Sequence, residues 1–435
     1  MTTANSESFI PSNAGMPPRL SIVVPALNEE DAIASTLARC LDARRNLVES
    51  AQVRDVEILV VSDGSTDKTE EIAYSFDDVT VLTFEKNRGY GAAIKCGFEH
   101  ATGELVGFLD ADGTCDPNFF GNLIRELEHK RADLALGSRM GDDSKMPLIR
   151  TVGNHVFASL LSVFSMQRAR DTASGMRVIR RDALPHLYPL PDGLHFTPAM
   201  SARALLEGRL KLIEVPMPYA ERVGQSKLRV LSDGLRFLSI IVRAAVTFRP
   251  ARPLLLLAAC VSLLALLTGL YPVTYYLRHA RLEEWVIYRV LLSSLCATVA
   301  WLLVCTAALA DRVAAAAHGR WTATSASEFL HRMFSANVRG TLQVLMIGSA
   351  IAVIWPGITE YVQTTHVQMH WSRAILGSLL FVSAVMLSAT GFLLRMMDFI
   401  EVTRSEVPAV LPPDRLRPRS SAPPSLTQCD ADARV

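Results

Sequence analysis

The chain has 435 residues, half of them hydrophobic, with a formal net charge of +1 and a mean hydropathy of +0.24. That length suits roughly two or three domains, and that hydropathy excludes both an ordinary soluble protein and a chain lying wholly in a membrane. The balanced charge gives no electrostatic case for nucleic acid, and no such partner is expected.

The opening MTTANSESFIPSNAGMPP lacks a basic-then-apolar signal pattern, so residues 1–18 read as a disordered leader. Leu20 to Pro25 is a short β-branched run stopped by proline, the mark of a buried parallel strand. Asn28 or the acids beside it are expected to cap a helix from Glu29 to Leu47. Glu57 to Val61 is a second strand, running into the turn Ser62-Asp63-Gly64-Ser65-Thr66-Asp67. Val79 to Leu82 is a third, followed by the turn Glu85 to Gly91, which contains Asn87 and Gly89. A helix from Ala92 to His100 leads to a fourth strand, Val106 to Leu109, and a fifth runs from Asp133 to Gly137. Strand and helix alternating in this way predict a mostly parallel α/β sheet with right-handed crossovers. Ligands of such sheets sit beyond the carboxyl ends of the strands. The turns at Pro25–Glu29, Ser62–Asp67 and Asp110–Gly113 all fall there.

The fourth strand carries the sharpest chemical signal. It runs into Asp110-Ala111-Asp112-Gly113. If the strand stays extended, side chains at i and i+2 point the same way, so both carboxylates would face one point. Two like charges that close favour a cation between them. Hard oxygen ligands suit Mg²⁺ or Mn²⁺, completed by water and substrate phosphates. No P-loop motif is present, and Gly89-Tyr90-Gly91 does not complete a dinucleotide fingerprint.

From Asp233 the character changes. Leu235 to Phe248 mixes apolar residues with Arg236 and Arg243, as an interfacial amphipathic helix does. Four apolar stretches follow: Leu254 to Tyr271, Val286 to Ala310, Thr341 to Tyr361 and Ile375 to Met396. Each approaches the roughly 20 residues that cross a bilayer. Arginines gather in the connection Asp311 to Gly340 and beside Arg249, Arg252, Arg395 and Arg404, and are sparser in the other loops. The positive-inside rule then places the N-terminal domain and both termini in the cytoplasm, at the inner membrane if the cell is bacterial. Seven scattered cysteines without C-x-x-C or zinc spacing agree with a reduced cytosolic face. The expected domains are a catalytic-type domain over 19–232, an amphipathic helix over 233–252, a four-helix membrane domain over 253–398 and a disordered tail over 399–435.

The segments VVPALNEE, VVSDGSTD, NRGYGAA, FLDADG, GSR, DTASGMRVIRR and EVPMPYAERVGQSK stand in an order that resembles family 2 glycosyltransferases. The likeness is to the branch containing dolichol-phosphate mannose synthase and bacterial polyprenyl-phosphate glycosyltransferases, and it covers Leu20 to Phe248. It implies a GT-A-type α/β domain that transfers a sugar, with inversion, from a GDP- or UDP-sugar to polyprenyl phosphate. It also implies nucleotide contacts from Pro25, Ala26, Asn28, Glu29, Asp63, Asn87 and Gly89, and a metal bridging Asp110 and Asp112 to the diphosphate. Arg139, Arg150, Ser174, Arg177, Arg222 and Lys227 are assigned to the acceptor phosphate, with Arg139 and Arg177 also counted as catalytic. Two positions depart from the family pattern. Ser62 stands before Asp63 where a second acid is usual, and Thr114 stands where relatives often carry a glutamine that reaches the metal. Self-association is left open. A polysaccharide or glycolipid synthase is the first alternative, but Ala317 replaces the glutamine of the Q-x-x-R-W motif before Arg320 and Trp321. A membrane scaffold with a transferase-like domain is the second, and the retained Asp110 and Asp112 speak against it.

Overall fold

The computed structural model describes residues 16–50, 52–141, 144–221, 230–279, 282–318, 325–366 and 369–406. Arg222, Lys227, Arg320 and Trp321, and most of the expected leader and tail, lie outside the described residues. The described chain divides into two compact units, one up to Ala244 and one from Ala245.

In the first unit, strands and helices alternate: β1 (Arg19–Ala26), α1 (Ile33–Glu49), β2 (Asp55–Ser62), α2 (Thr69–Tyr74), β3 (Thr80–Thr83), α3 (Tyr90–His100) and β4 (Leu105–Phe108). Then come α4 (Phe120–His129), β5 (Leu134–Ser138), α5 (Leu148–Ser165), β6 (Arg177–Arg180), α6 (Leu184–Leu187), α7 (Phe196–Glu207) and β7 (Leu212–Pro216). Helix α8 (Val230–Phe248) runs across the division between the units. The seven strands form one sheet in the order β3-β2-β1-β4-β6-β5-β7. Only β6 is antiparallel to its neighbours. The expected mostly parallel α/β sheet, followed by a helical membrane region, is the architecture observed.

Successive strand residues face opposite sides of a sheet, and the core follows that alternation. Leu20, Ile22 and Val24 of β1 pack with Leu37 and Cys40 of α1 and Leu123 of α4 on one face. Val23, Leu59, Val61 and Phe108 pack with Ile94 and Phe98 of α3 and Phe196 of α7 on the other. Helices therefore cover both faces, and polar groups at the strand ends are left at the rim.

The register decides which ends meet. Ala26 pairs with Ser62, so the loops after β1 and β2 leave the sheet side by side. Phe108 pairs with Arg177 at the start of antiparallel β6, and Ser138 at the end of β5 pairs with Pro216 of β7. The one reversed strand thus brings its beginning to the edge where the parallel strands finish. Helix α1 begins later than expected, at Ile33, and no side chain caps it. Asn28 instead adopts φ +48 and accepts a hydrogen bond from the Thr66 amide at 2.7 Å, tying the first strand-end loop to the second.

The second unit holds α9 (Ala251–His279), α10 (Ile287–His318), α11 (Ser325–Met333), α12 (Ala336–Thr364) and α13 (Trp371–Glu406). All but α11 contain stretches long and apolar enough to cross a membrane, which makes this a membrane protein. Close packing uses small residues, as expected where lipid removes the hydrophobic drive between helices. Ser293 of α10 donates to the Ala265 carbonyl of α9 at 2.8 Å. Gln343 of α12 donates to Ser388 of α13 at 2.6 Å. Trp285 clusters with Tyr271 and Tyr275, at 5.7 and 5.8 Å between ring centres. Trp301 of α10 donates to the Ser383 carbonyl of α13 at 3.0 Å, a contact between helices.

Candidate active site

A cavity of about 550 Å³ lies at the strand-end edge of the first unit. Its floor comes from the loops after β1, β2 and β4. Pro25, Ala26, Glu29, Asp63, Asn87, Gly89, Asp110, Asp112, Arg139 and Arg150 all line it, so ten of the sequence-selected residues converge on one space. Asn28, Ser174 and Arg177 do not line it.

Asp63 is buried and holds the Asn87–Gly89 turn in shape. Its carboxylate accepts from the Arg88 amide at 2.6 Å and from the Gly89 amide at 2.9 Å. Burial raises its pKa, and those two amides partly offset the rise. Gly89 has φ +110, and an added Cβ would come within 2.5 Å of the Asp192 carbonyl oxygen. Only glycine satisfies both conditions there. A base or ribose meeting Asp63 would therefore meet a side chain already shaping its own loop.

The carboxylate pair departs from the simple strand picture. β4 ends at Phe108, so Asp110 lies past the strand and Asp112 sits in a turn. Gly113, at φ +74, completes that turn. The i, i+2 argument therefore brings both acids to the cavity by a route the backbone does not take. Specific partners hold them instead. Tyr90 at the start of α3 donates its hydroxyl to Asp110 Oδ1 at 2.7 Å. Thr114 donates its hydroxyl to Asp112 Oδ1 at 2.6 Å. Gly175 makes room on the far side, since a Cβ there would fall 2.0 Å from Asp110 Oδ2. Thr114, marked as a departure from the family pattern, is thus the partner of a carboxylate. Burial and then the Asp110 charge push the Tyr90 phenol well above its usual pKa.

The donor set suits a hard divalent cation. Two carboxylates on one cavity offer oxygen only, and among the described residues no group of three or more His, Cys, Asp or Glu is placed to hold a metal. A cation bound by Asp110 and Asp112 would need water and diphosphate oxygens to complete its shell, as Mg²⁺ and Mn²⁺ ordinarily do.

The basic side of the cavity is less uniform than the sequence suggests. Arg139 follows β5 and forms a forked pair with buried Asp171, from Nε to Oδ2 and from Nη2 to Oδ1, both at 2.8 Å. Burial disfavours the Arg139 cation, but the Asp171 carboxylate outweighs it and raises the pKa. The same pairing lowers the pKa of Asp171 against its own burial. The Arg139 guanidinium lies 5.5 Å from the centre of the Tyr219 ring. Arg177 is fully enclosed. It donates to the carbonyls of Ser174, Thr172 and Thr197 at 3.2, 3.1 and 3.0 Å, while Nη1 is buried without a partner. Burial draws its pKa down to about 10. Ser174 donates to the Gly137 carbonyl at 2.5 Å. In this structure these two residues, assigned by resemblance to the acceptor phosphate, brace the loop before β6 and do not line the cavity. Asp171, Tyr90, Tyr219 and Gly175 were not selected as site residues. An acid shortly before the Ser174-Gly175-Met176-Arg177 stretch was the one available sign, and it pointed to Asp171.

Helices α5 and α8 also line the cavity. Ile149, Gly153 and Phe157 of α5 face it together with Arg236 and Phe237 of α8. The rings of Phe157 and Phe237 meet edge to face at 5.9 Å. The cavity therefore joins an anionic, metal-suited floor to an apolar wall.

Residues 21–187 match the model of glycosyl transferase family 2. The chain thus carries a family 2 glycosyltransferase domain. It is 32% identical to the low-salt glycan biosynthesis hexosyltransferase Agl6 of Haloferax volcanii, over 54% of this chain and 55% of that protein. It is 29% identical to the dolichyl-phosphate beta-glucosyltransferase of Saccharomyces cerevisiae, over 52% of this chain and 74% of that one. The chain therefore spans about half the length of Agl6 and more of the yeast relative. Among solved structures, glucosyl-3-phosphoglycerate synthase from Mycobacterium tuberculosis aligns over 53% of this chain and 81% of its own, at 22% identity and a TM-score of 0.40. Nothing further rests on that likeness.

Proposed function

We propose that this chain is a membrane-bound, inverting hexosyltransferase that moves a sugar from a GDP- or UDP-sugar to a polyprenyl phosphate of dolichyl or undecaprenyl type. The observation that carries the reading is the placement of Asp110 and Asp112 on the same cavity as Asp63, Asn87 and Arg139. Similarity to the yeast dolichyl-phosphate beta-glucosyltransferase supports the acceptor class. Membrane helices in the same chain support it too.

In this reaction an acceptor phosphate oxygen forms a bond to the anomeric carbon. The bond from that carbon to the nucleoside diphosphate breaks, and the diphosphate leaves with the electron pair. A phosphate monoester is largely ionised at neutral pH, since its second pKa is about 6. No strong general base is needed, and alignment with charge neutralisation carries the rate. Asp110 and Asp112 would hold Mg²⁺ or Mn²⁺, which supplies charge neutralisation on the leaving diphosphate. Arg139, kept cationic by Asp171, and Arg150 offer positive charge on the same cavity. Arg222 and Lys227 are assigned to the acceptor phosphate by resemblance alone. The catalytic domain works at the cytoplasmic face, on the positive-inside reading of the arginines.

A panel of radiolabelled GDP- and UDP-sugars, incubated with membranes and polyprenyl phosphate, tests this. One donor should yield a lipid-extractable product in a manner abolished by EDTA. Transfer to polysaccharide or protein with none to lipid phosphate would overturn the acceptor assignment.

A further inference from the structure

Asp110 and Asp112 lie beyond the end of β4, so their aim depends on how the backbone around them is held. Helix α1 holds most of it. Thr36, buried in that helix, donates its hydroxyl to the Ala111 carbonyl, between the two acids, at 3.0 Å. Arg39 donates from Nη1 to the Gly113 carbonyl at 3.1 Å and from Nη2 to the Cys115 carbonyl at 2.5 Å. The intervening Thr114 carbonyl accepts from the Ala220 amide at 3.0 Å.

The residue types fit this task. Thr36 and Arg39 are three residues apart and so share one face of α1. Leu37 and Cys40 pack beside them in the same core as Leu109, Ala111 and Cys115, which fixes the helix against the turn. A buried carbonyl left unpaired is costly, and the threonine hydroxyl meets that of Ala111. The arginine fork reaches two acceptors at once, whereas a lysine ammonium is a single point of charge. At its other end α1 is tied to the loop after β1. The Ala32 and Ile33 amides donate to the Glu29 carbonyl at 3.0 and 2.9 Å, and Glu29 lines the cavity.

No residue of α1 lines the cavity. The carbonyls of Ala111, Gly113 and Cys115 therefore point behind it. Backbone carbonyls are themselves hard oxygen ligands, so this orientation turns three of them away from the space that the two carboxylates border. We propose that Thr36 and Arg39 are positioning residues for the divalent cation. From behind the cavity they fix the turn that aims Asp110 and Asp112, and so set the affinity for the metal. The inference rests on the proposed function only in taking those two acids as metal ligands.

Mn²⁺ binding to the detergent-solubilised full-length protein is read as loss of the free-ion electron paramagnetic resonance signal, with Mn²⁺ alone and with UDP or GDP added. Thr36→Val keeps the shape of the side chain and removes the hydroxyl, while Thr36→Ser keeps the hydroxyl. Arg39→Lys keeps the charge and loses the fork. Thr36→Val and Arg39→Lys should each weaken Mn²⁺ binding by about ten- to a hundredfold, the usual cost of losing an outer partner of a metal ligand. Thr36→Ser should bind as the wild type does. Loss in Thr36→Ser with full binding in Thr36→Val would overturn the proposal, because packing alone would then matter. A lowered melting temperature with unchanged Mn²⁺ affinity would overturn it too. Arg39 is only partly buried, so Arg39→Lys decides the matter if Thr36→Val does not fold. A wild type that binds no Mn²⁺ in any of these mixtures would overturn this inference and the proposed function together. The expected pattern of Mn²⁺ binding in a protein that transfers no sugar to lipid phosphate would refute the proposed function alone.

Discussion

Leu59 and Leu266 are the same side chain in opposite circumstances. Leu59 in β2 is 1% exposed, while Leu266 in α9 is 62% exposed. The first unit folds leucine inward and sets Asp63, Asp110 and Asp112 at its rim, where a cavity uses them. The second presents leucine outward and joins helices through Gln343–Ser388 and Ser293–Ala265 contacts. One unit answers to water and the other to lipid. The chemistry that the first unit carries thus depends on buried polar groups being paired, and the second depends on its outer face staying apolar.

The largest effect should come from breaking a buried pair in the first unit. Asp171→Asn leaves the Arg139 cation without its carboxylate, and removing one partner of such a pair costs about 3–5 kcal/mol. The pH dependence has a definite sign. The folded pKa of Asp171 lies below its ordinary value. Its contribution is therefore complete above the ordinary carboxylate pKa and is lost only as pH falls through the lower folded value. Denaturant melts should show a gap between wild type and Asp171→Asn that is constant from about pH 8 to about pH 5 and narrows in stronger acid. A gap that widened in acid would show that the pair is held by something other than charge.

Asp112→Asn should act on chemistry and spare the fold. Loss of one charged group at the leaving diphosphate should lower kcat/KM by roughly 10²–10³, by analogy with removing one electrostatic stabiliser of a transition state. Insertion into membranes and thermal stability should change little. Undiminished turnover in the variant, or in excess EDTA, would remove the metal from the mechanism.

How much of this was legible depended on how local the signal was. Strands β1 to β5 announced themselves as short apolar runs ending in turn residues, rich in β-branched residues in β1 to β3. Strands β6 and β7 were missed, because Arg177-Val178-Ile179-Arg180 is four residues long with arginine at both ends, and β7 is only partly buried. Missing β6 hid the reversal that brings Arg177 to the sheet edge, and its burial followed from that reversal. Asp110 and Asp112 were found for a geometric reason that the structure replaces. What fixes them, Tyr90 and Thr114, is set by long-range packing in the first case and a turn in the second. Neither leaves a periodic trace. The four apolar helices were legible because lipid demands composition over some twenty residues, a requirement that does not depend on partners.

Placing a charge on the outside of each unit sharpens the contrast between them. Tyr74 in α2 and Leu266 in α9 are both more than half exposed. Tyr74→Lys should change stability by no more than about 0.5 kcal/mol, the usual range for a surface substitution. Leu266→Lys should cost about 2.5–3.5 kcal/mol, the penalty for a charge at the centre of a membrane helix. Yield of inserted protein and melting in nanodiscs would measure both. Equal tolerance would mean that the exposed face of α9 meets water.

The smallest loss of function expected is at Tyr90, and it asks how the rim of the first unit keeps its acids in order. The Tyr90 hydroxyl donates to Asp110 Oδ1 at 2.7 Å, and Gly175 confines the carboxylate from the other side. With its pKa raised by burial and by Asp110, the phenol remains a donor at working pH. Tyr90→Phe keeps the ring and removes only this bond. A hydrogen bond to a charged group contributes about 1.5–3 kcal/mol, and the lower end applies because Asp110 also borders the cavity and can bind water there. The concentration of Mn²⁺ needed for half-maximal donor binding should rise roughly tenfold, as read by calorimetry. Turnover at saturating Mn²⁺ should return close to that of the wild type, since both carboxylates remain. A merely structural role for Tyr90 would give a lower melting temperature and a kcat that added metal does not rescue, and unchanged metal dependence would show that Asp110 needs no such support.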